Sequence, residues 1–342
     1  MKSANKTGHK PVVLVTGGAG YVGCVLVHLL VRHGFRVRVL DLFLFDNRHV
    51  FDGMKQPGMA VIEGDIRDGG TVRRALRGVD HVIHLAALSN DPCSELDPDL
   101  TEQINLAASV SLMQAAKKAG VHRFVFASSA TVYGVKDEPR ITEESVPAPI
   151  TLYGRFKHEC ERHLLELSGN GFHGVVLRPA TVCGFSPRMR FDLTVNIFVK
   201  QAVTTGSVRV HGGAQMRPNV HIDDLTEAYL LMLEAPDGMV AGKIFNVGFE
   251  NLSVMEIASA VREAVGNGVG LEQVEVFDHR SYRLDSTKIE EQLGFRRRLG
   301  IMDAAREVAA AIRTGAITAP DDSRYVNIAY LKEKGYKRLC RE

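Results

Sequence analysis

The sequence predicts an α/β fold, a doubly wound parallel sheet with a smaller C-terminal lobe interwoven with it. Three observations carry this expectation. Short β-branched runs alternate with helical segments through the first half of the 342 residues. A cluster of glycines separates the first such run from the first helical segment. After about residue 180 the alternation loosens, with no repeat, low-complexity tract or long linker to mark a separate module. Strands alternating with helices at this spacing are joined by crossovers, which makes them parallel.

Taken in order, "PVVLVTG" reads as a strand, "YVGCVLVHLLVRHG" as a helix stopped by Gly34, and "FRVRVLD" as the second strand. "MAVIEGD" is a strand, "TVRRALRG" a helix and "VDHVIHLAA" a strand. One long helix is expected over "DLTEQINLAASVSLMQAAKKAG", then a strand over "VHRFVFASS", a helix through "LYGRFKHECERHL" and a strand over "FHGVVLRP". Beyond these, "FDLTVNIFVKQAVTTG" and "IDDLTEAYLLMLEAP" are helical, and "GKIFNVG" is a strand that rejoins the sheet. "SVMEIASAVREAVG", "STKIEEQLGF" and "IMDAAREVAAAIRTG" complete the helices. The expected division is 1–180 for the sheet domain, with later segments rejoining it, and 181–342 for the smaller lobe. In such sheets ligands bind at the carboxyl ends of the strands.

Composition narrows the function classes. Charged residues make up 24% and apolar residues 45%, ordinary for a soluble globular chain. A net charge of +2, with no Lys/Arg stripe, points to no nucleic-acid partner, and "RRR" at 296–298 reads as a solvated face. The polar N-terminus and the apolar run cut by Gly17 argue against a signal peptide and against a membrane span. Five cysteines lie far apart without a C-x-x-C, so they read as reduced, packed thiols in a cytoplasmic protein, holding no metal.

Gly17, Gly18, Gly20 and Gly23 satisfy two overlapping patterns, G-x-G-x-x-G and G-x-x-G-x-x-G. Following a strand and opening a helix, they let the backbone approach a pyrophosphate, which the helix N-terminus then meets. Asp41 ends the second strand 18 residues past Gly23, close to the spacing of a ribose-binding acid. A carboxylate there accepts from a 2′-hydroxyl and repels a 2′-phosphate, which favours NAD over NADP. Asp65 and Ile66 end the third strand at the same edge, suited to the adenine, while Asp68 reads as a cap of the next helix. The first domain is therefore expected to be of Rossmann type.

Tyr153 and Lys157 stand one helical turn apart, on one face. A free tyrosine has a pKa near 10, and a neighbouring ammonium stabilises its phenolate. The pair is thus suited to acid–base work beside a nicotinamide. Ser129, 24 residues before Tyr153 at the end of the fifth strand, is placed to bond the same substrate oxygen. Ser128 reads as bonding backbone at the strand end, and Thr131 as either touching a sugar or capping a turn. His84 tempts as a second base but reads as packed, and Asn105 as bonding backbone or cofactor.

Together these residues resemble the extended short-chain dehydrogenase/reductase family, in its nucleotide-sugar epimerase and dehydratase branch (UDP-glucose 4-epimerase-like). The resemblance spans nearly the whole chain and rests on "TGGAGYVG", "LDLF", "GDIRD", "HLAA", "SSATVYG", "YGRFK", "LRPATVCG", "RPNVHIDD", "FNVG" and "TKIEEQLGF". It implies NAD contacts at Gly17, Gly20, Tyr21, Val22, Asp41, Asp65, Ile66, Leu85, Ala86, Ala87, Asn105, Tyr153, Lys157 and Ala180, with Ser129, Tyr153 and Lys157 catalytic. It implies Arg217 on a substrate diphosphate. The family's late R-x-G-D arginine is missing in that form, with "DHRSYRLD" in its place, where Arg280 is the candidate second phosphate ligand. Each arginine reads alternatively as a surface ion pair. Thr181 stands where many relatives have an asparagine touching the nucleotide sugar.

Within that branch, 4,6-dehydratases carry an Asp–Glu pair after the catalytic Ser/Thr, where this chain has Ala130 and Thr131. The glutamate of decarboxylating relatives and the cysteine of 3,5-epimerising reductases are also absent at these positions. The resemblance thus implies a nucleotide-sugar epimerase acting at C4 through a 4-keto intermediate. The alternatives are a keto-sugar reductase or sugar dehydrogenase on the same residues, or a non-catalytic NAD-binding protein. It further implies a homodimer through a four-helix bundle built from helices at about 99–119 and 150–168.

Overall fold

A computed structural model describes residues 10–51, 58–136, 138–276, 281–335 and 339. The strands of the main sheet are β1 (Val12–Thr16), β2 (Arg36–Asp41), β3 (Met59–Glu63), β4 (His81–His84), β5 (Arg123–Ala127) and β6 (His173–Pro179). A short strand β7 (Thr181–Cys183) follows, then β8 (Ser207–His211), β9 (Met216–His221), β10 (Lys243–Val247), β11 (Glu250–Ser253) and β12 (Gly270–Val274). The main sheet runs β10-β6-β5-β4-β1-β2-β3, every pair parallel. "GKIFNVG" does rejoin it, Phe245 lying opposite Leu177. The order reverses between β1 and β4, where Thr16 pairs with His84, and the crevice opens just beyond these residues.

Helices cover both faces. On one side α1 (Tyr21–Arg32) packs against a later helix, here α8 (Ile222–Glu234), over Val13, Val15, Val125 and Phe245. On the other side lie α2 (Gly69–Ala75), the short α3 (Asp91–Ser94) and α4 (Pro98–Thr101), then α5 (Ala108–Lys118) and α6 (Leu152–Leu167). The long helix expected from 99 to 119 is present, helical backbone running from Pro98 to Lys118 with one departure from α geometry. Residues 102–107 form a π-helical turn between α4 and α5. The extra residue turns Asn105 inward, where its amide bonds both backbone groups of Leu88, at 2.8 and 2.9 Å.

The smaller lobe has its own apolar cluster, formed by α7 (Thr194–Thr205), α10 (Val254–Val265) and α12 (Ile301–Arg313) around β8. Ser253 and Glu256 cap α10 reciprocally, as an S-x-x-E start predicts. The other segments are α9 (Asp237–Val240), α11 (Thr287–Leu293) and α13 (Asn327–Tyr330), the last returning to the crevice. β7, β9 and β11 form a three-stranded sheet, and β8 and β12 a parallel pair. These short strands carry too few residues to show a pattern in the sequence. Among the described residues four cysteines are free and buried, and no helix is long and apolar enough to cross a membrane.

Candidate active site

The carboxyl ends of β1, β2, β4, β5 and β6 border one cavity of about 390 Å³. At one end lies the glycine turn. Gly17 has φ +70°, and a Cβ there would stand 2.7 Å from the Ala86 nitrogen. A methyl group at Gly23 would overlap the Gly17 carbonyl oxygen. Both positions therefore need glycine for the turn to pack against the β4 loop and for α1 to start close beneath it. Gly20, the N-cap of α1, has no side chain to cap it, so among the described residues the first-turn N–H groups have no side-chain cap. Asp41 accepts from the Ala19 and Phe43 amides, at 2.9 and 2.7 Å, which fixes its carboxylate at the end of β2. Burial raises its pKa above the usual value, against the pull of those two bonds and Arg188. These features fit a dinucleotide: a close-approach turn, an uncapped helix start and an anchored acid.

At the other end stand Ser129, Thr131, Tyr153 and Lys157. Thr151 caps α6 by accepting from the Gly154 amide, which sets Tyr153 in the first turn and Lys157 one turn on. Lys157 donates from Nζ to the Ala127 carbonyl at 2.6 Å and lies 5.6 Å from the Tyr153 ring centroid. Burial lowers the Lys157 pKa to about 8, and it raises that of Tyr153 to about 12. Among the neighbouring charges, Arg190 is the one that most offsets the rise at Tyr153. Ser129 starts a 3₁₀ turn, its Oγ accepting from the Thr131 amide at 3.2 Å. The Thr131 hydroxyl has no hydrogen-bond partner among the described residues.

Of the sequence-derived set, Gly17, Gly20, Tyr21, Val22, Asp41, Asp65, Ile66, Leu85, Ala86, Ala87, Ala180 and Thr181 also line this cavity. Asp65 is held by Arg67, whose Nε and Nη2 donate to it at 2.9 and 2.6 Å. Asn105 is not among the lining residues, because its amide is spent on Leu88; it shapes the β4 loop from behind. Arg217 also lies outside the lining, on β9 opposite Leu252, where Nη1 donates to the Met216 carbonyl. Arg280 falls outside the described residues. Ser128 bonds Glu161 rather than backbone. His84 is fully packed, sharing hydrogen bonds with Thr16 at 2.6 Å and Ser109 at 2.9 Å.

The sequence reading missed the segment 184–192 and the loop it meets. Arg190 pairs with Asp192 at 2.8 Å and reaches Ser89; Asn90 bonds Asp192. Asn90 has φ +82° and ψ 159°, a conformation that side chains rarely adopt, here at the cavity wall. "SPRMRFD" gave a signal of sorts, since two arginines in an apolar stretch have to be neutralised somewhere.

The chain is 32% identical to a UDP-glucose 4-epimerase of Lactobacillus helveticus over 73% of its own length and 81% of the relative's. A dTDP-glucose 4,6-dehydratase from Streptomyces venezuelae, solved with NAD and TYD bound, superposes with a TM-score of 0.80. It has 28% identity and covers 91% of this chain and 100% of that one. A UDP-glucose 4-epimerase of Thermus thermophilus in complex with NAD gives 0.76, at 30% identity over 88% and 99% of the two chains. With residues 13–248 matching the family model and the turn, acid and Tyr–Lys pair gathered on one cavity, the chain belongs to the NAD dependent epimerase/dehydratase family.

Proposed function

We propose that the protein is an NAD-dependent nucleotide-sugar epimerase acting at C4. One observation carries the reading: Ser129, Thr131, Tyr153 and Lys157 share a cavity with the glycine turn and Asp41. NAD would lie along Gly17–Val22 with its ribose on Asp41, and when bound it supplies a hydride acceptor and donor. Tyr153 would take the proton of the C4 hydroxyl and return it to that same oxygen once the 4-keto sugar has turned and presented the opposite face of C4 for reduction. Ser129 donates a hydrogen bond to that oxygen, and Lys157 keeps positive charge near the phenol. Arg190, the charge that most lowers the Tyr153 pKa, acts in the same direction. The buried Ala130 and the hydroxyl of Thr131 offer no acid–base pair for loss of a C6 hydroxyl, which supports epimerisation over dehydration. Pairing of two copies through the helices near 99–119 and 150–168 belongs to the same proposal.

The test is purified protein with a panel of UDP-, dTDP-, GDP- and CDP-sugars. Epimerisation is expected with no net absorbance of NADH; stoichiometric NADH turnover would instead mark the oxidoreductase alternative. Tyr153→Phe is expected to lose roughly 10²–10⁴-fold in turnover while retaining NAD. Unchanged turnover in that variant would remove the mechanism.

A further inference from the structure

Arg188 is a cation in the cavity wall with no anion in contact among the described residues. It is 5% exposed and lines the cavity. Its Nη1 donates to the Met189 carbonyl at 3.3 Å and its Nη2 to Asn327 Oδ1 at 2.6 Å, both neutral acceptors. Its guanidinium lies 4.0 Å from the centroid of the Phe45 ring, on the loop after β2. Asp192, the carboxylate of the same segment, is engaged by Arg190 through both oxygens. Burial and that neighbouring like charge lower the Arg188 pKa to about 10. A buried guanidinium in this setting is costly until something negative meets it.

The segment carrying Arg188 is docked on the first turn of α1. The Tyr21 hydroxyl donates to the Gly184 carbonyl at 2.7 Å. The Ser186 hydroxyl donates to the Tyr21 carbonyl at 2.7 Å, and lies 3.1 Å from Cys24 Sγ. Arg188 therefore reaches the cavity beside the uncapped start of α1, between the loop after β2 and Asn327 of α13. We propose that Arg188 grips the diphosphate of the bound dinucleotide, forming with the first-turn amides of α1 a clamp built from two separate parts of the chain. A planar guanidinium suits phosphate oxygens, and a helix start supplies the complementary N–H groups. The placement against α1 and Phe45 selects the dinucleotide over a substrate diphosphate. The inference rests on the NAD-binding reading above.

The experiment titrates nucleotide-stripped protein with NAD and, separately, with UDP, comparing wild type with Arg188→Met and Arg188→Lys. Arg188→Met is expected to weaken NAD roughly 10- to 100-fold and UDP by less than about twofold, with Arg188→Lys between. Its melting temperature without nucleotide should hold or rise, because an unneutralised charge has been removed. Unchanged NAD affinity, or a loss confined to UDP, overturns the proposal. Should Arg188→Met not fold, Arg188→Lys decides, since full NAD affinity without the planar fork also overturns it. Wild-type protein that takes up no NAD at all would remove the NAD-binding reading itself, a different outcome from either.

Discussion

His84 illustrates how a residue of catalytic type is retired by its surroundings. Both ring nitrogens are occupied, by Thr16 and Ser109, and burial beside Lys157 lowers its pKa to about 3. Its folded value therefore lies below the unfolded 6.5. The unfolded chain takes up the proton first, so stability present above pH 6.5 is lost as pH falls toward 3. His84→Gln should lose less stability than wild type between pH 7 and pH 5, by about 2 kcal/mol, in urea titrations at each pH. Parallel pH profiles for the two proteins would contradict the buried neutral ring. Tyr153 stands at the opposite extreme, half-buried at the cavity with its phenol lifted by desolvation. Its neighbours, and not its identity alone, decide its strength as a base.

Among the elements, the start of α1 and the π-turn before α5 do related work. The first is held open by glycine, and the second turns Asn105 inward to fix the Leu88 backbone. Gly23→Ala would drive a methyl group into the Gly17 carbonyl, so the turn must move from the β4 loop or α1 must shift. The expected result is loss of co-purifying NAD, measured by absorbance of the heat-released nucleotide, while the far-UV circular dichroism spectrum is retained. Retention of NAD at the wild-type ratio would show that the turn has slack the close packing does not suggest. The glycine turn was legible because glycine at fixed spacing is forced by backbone geometry. The π-turn was not, because its apolar pattern differs from an α-helix by one residue.

Over the full fold, distant segments meet behind α6 in a buried polar network. Glu161 of α6 holds Arg178 of β6 through two bonds, at 2.9 and 2.6 Å, and also accepts from Ser128. Arg178 reaches the Tyr133 hydroxyl, which donates to Asn246 of β10, whose backbone amide donates to Glu143. Both members of the ion pair are almost wholly buried. Arg178→Met is expected to cost about 3–5 kcal/mol in chemical denaturation, because it strands a carboxylate in the interior. Joining it with Glu161→Leu should recover much of that loss. A single variant with wild-type stability would mean that solvent reaches the pair.

The alternation of strands and helices, the parallel sheet, the glycine turn and the one-turn spacing of Tyr153 and Lys157 could all be read from the chain unfolded on the page. Each of these is a local constraint, set by backbone geometry, side-chain period or position along one element. Which cations share the site was settled by the fold alone. Arg188 and Arg190 come from a segment without regular periodicity, and Asn327 arrives from the far end of the chain. The fold likewise set Arg217 outside the cavity lining and spent Asn105 on the β4 loop. Burial and charge pairing depend on contacts between residues far apart in sequence, and no local pattern encodes them.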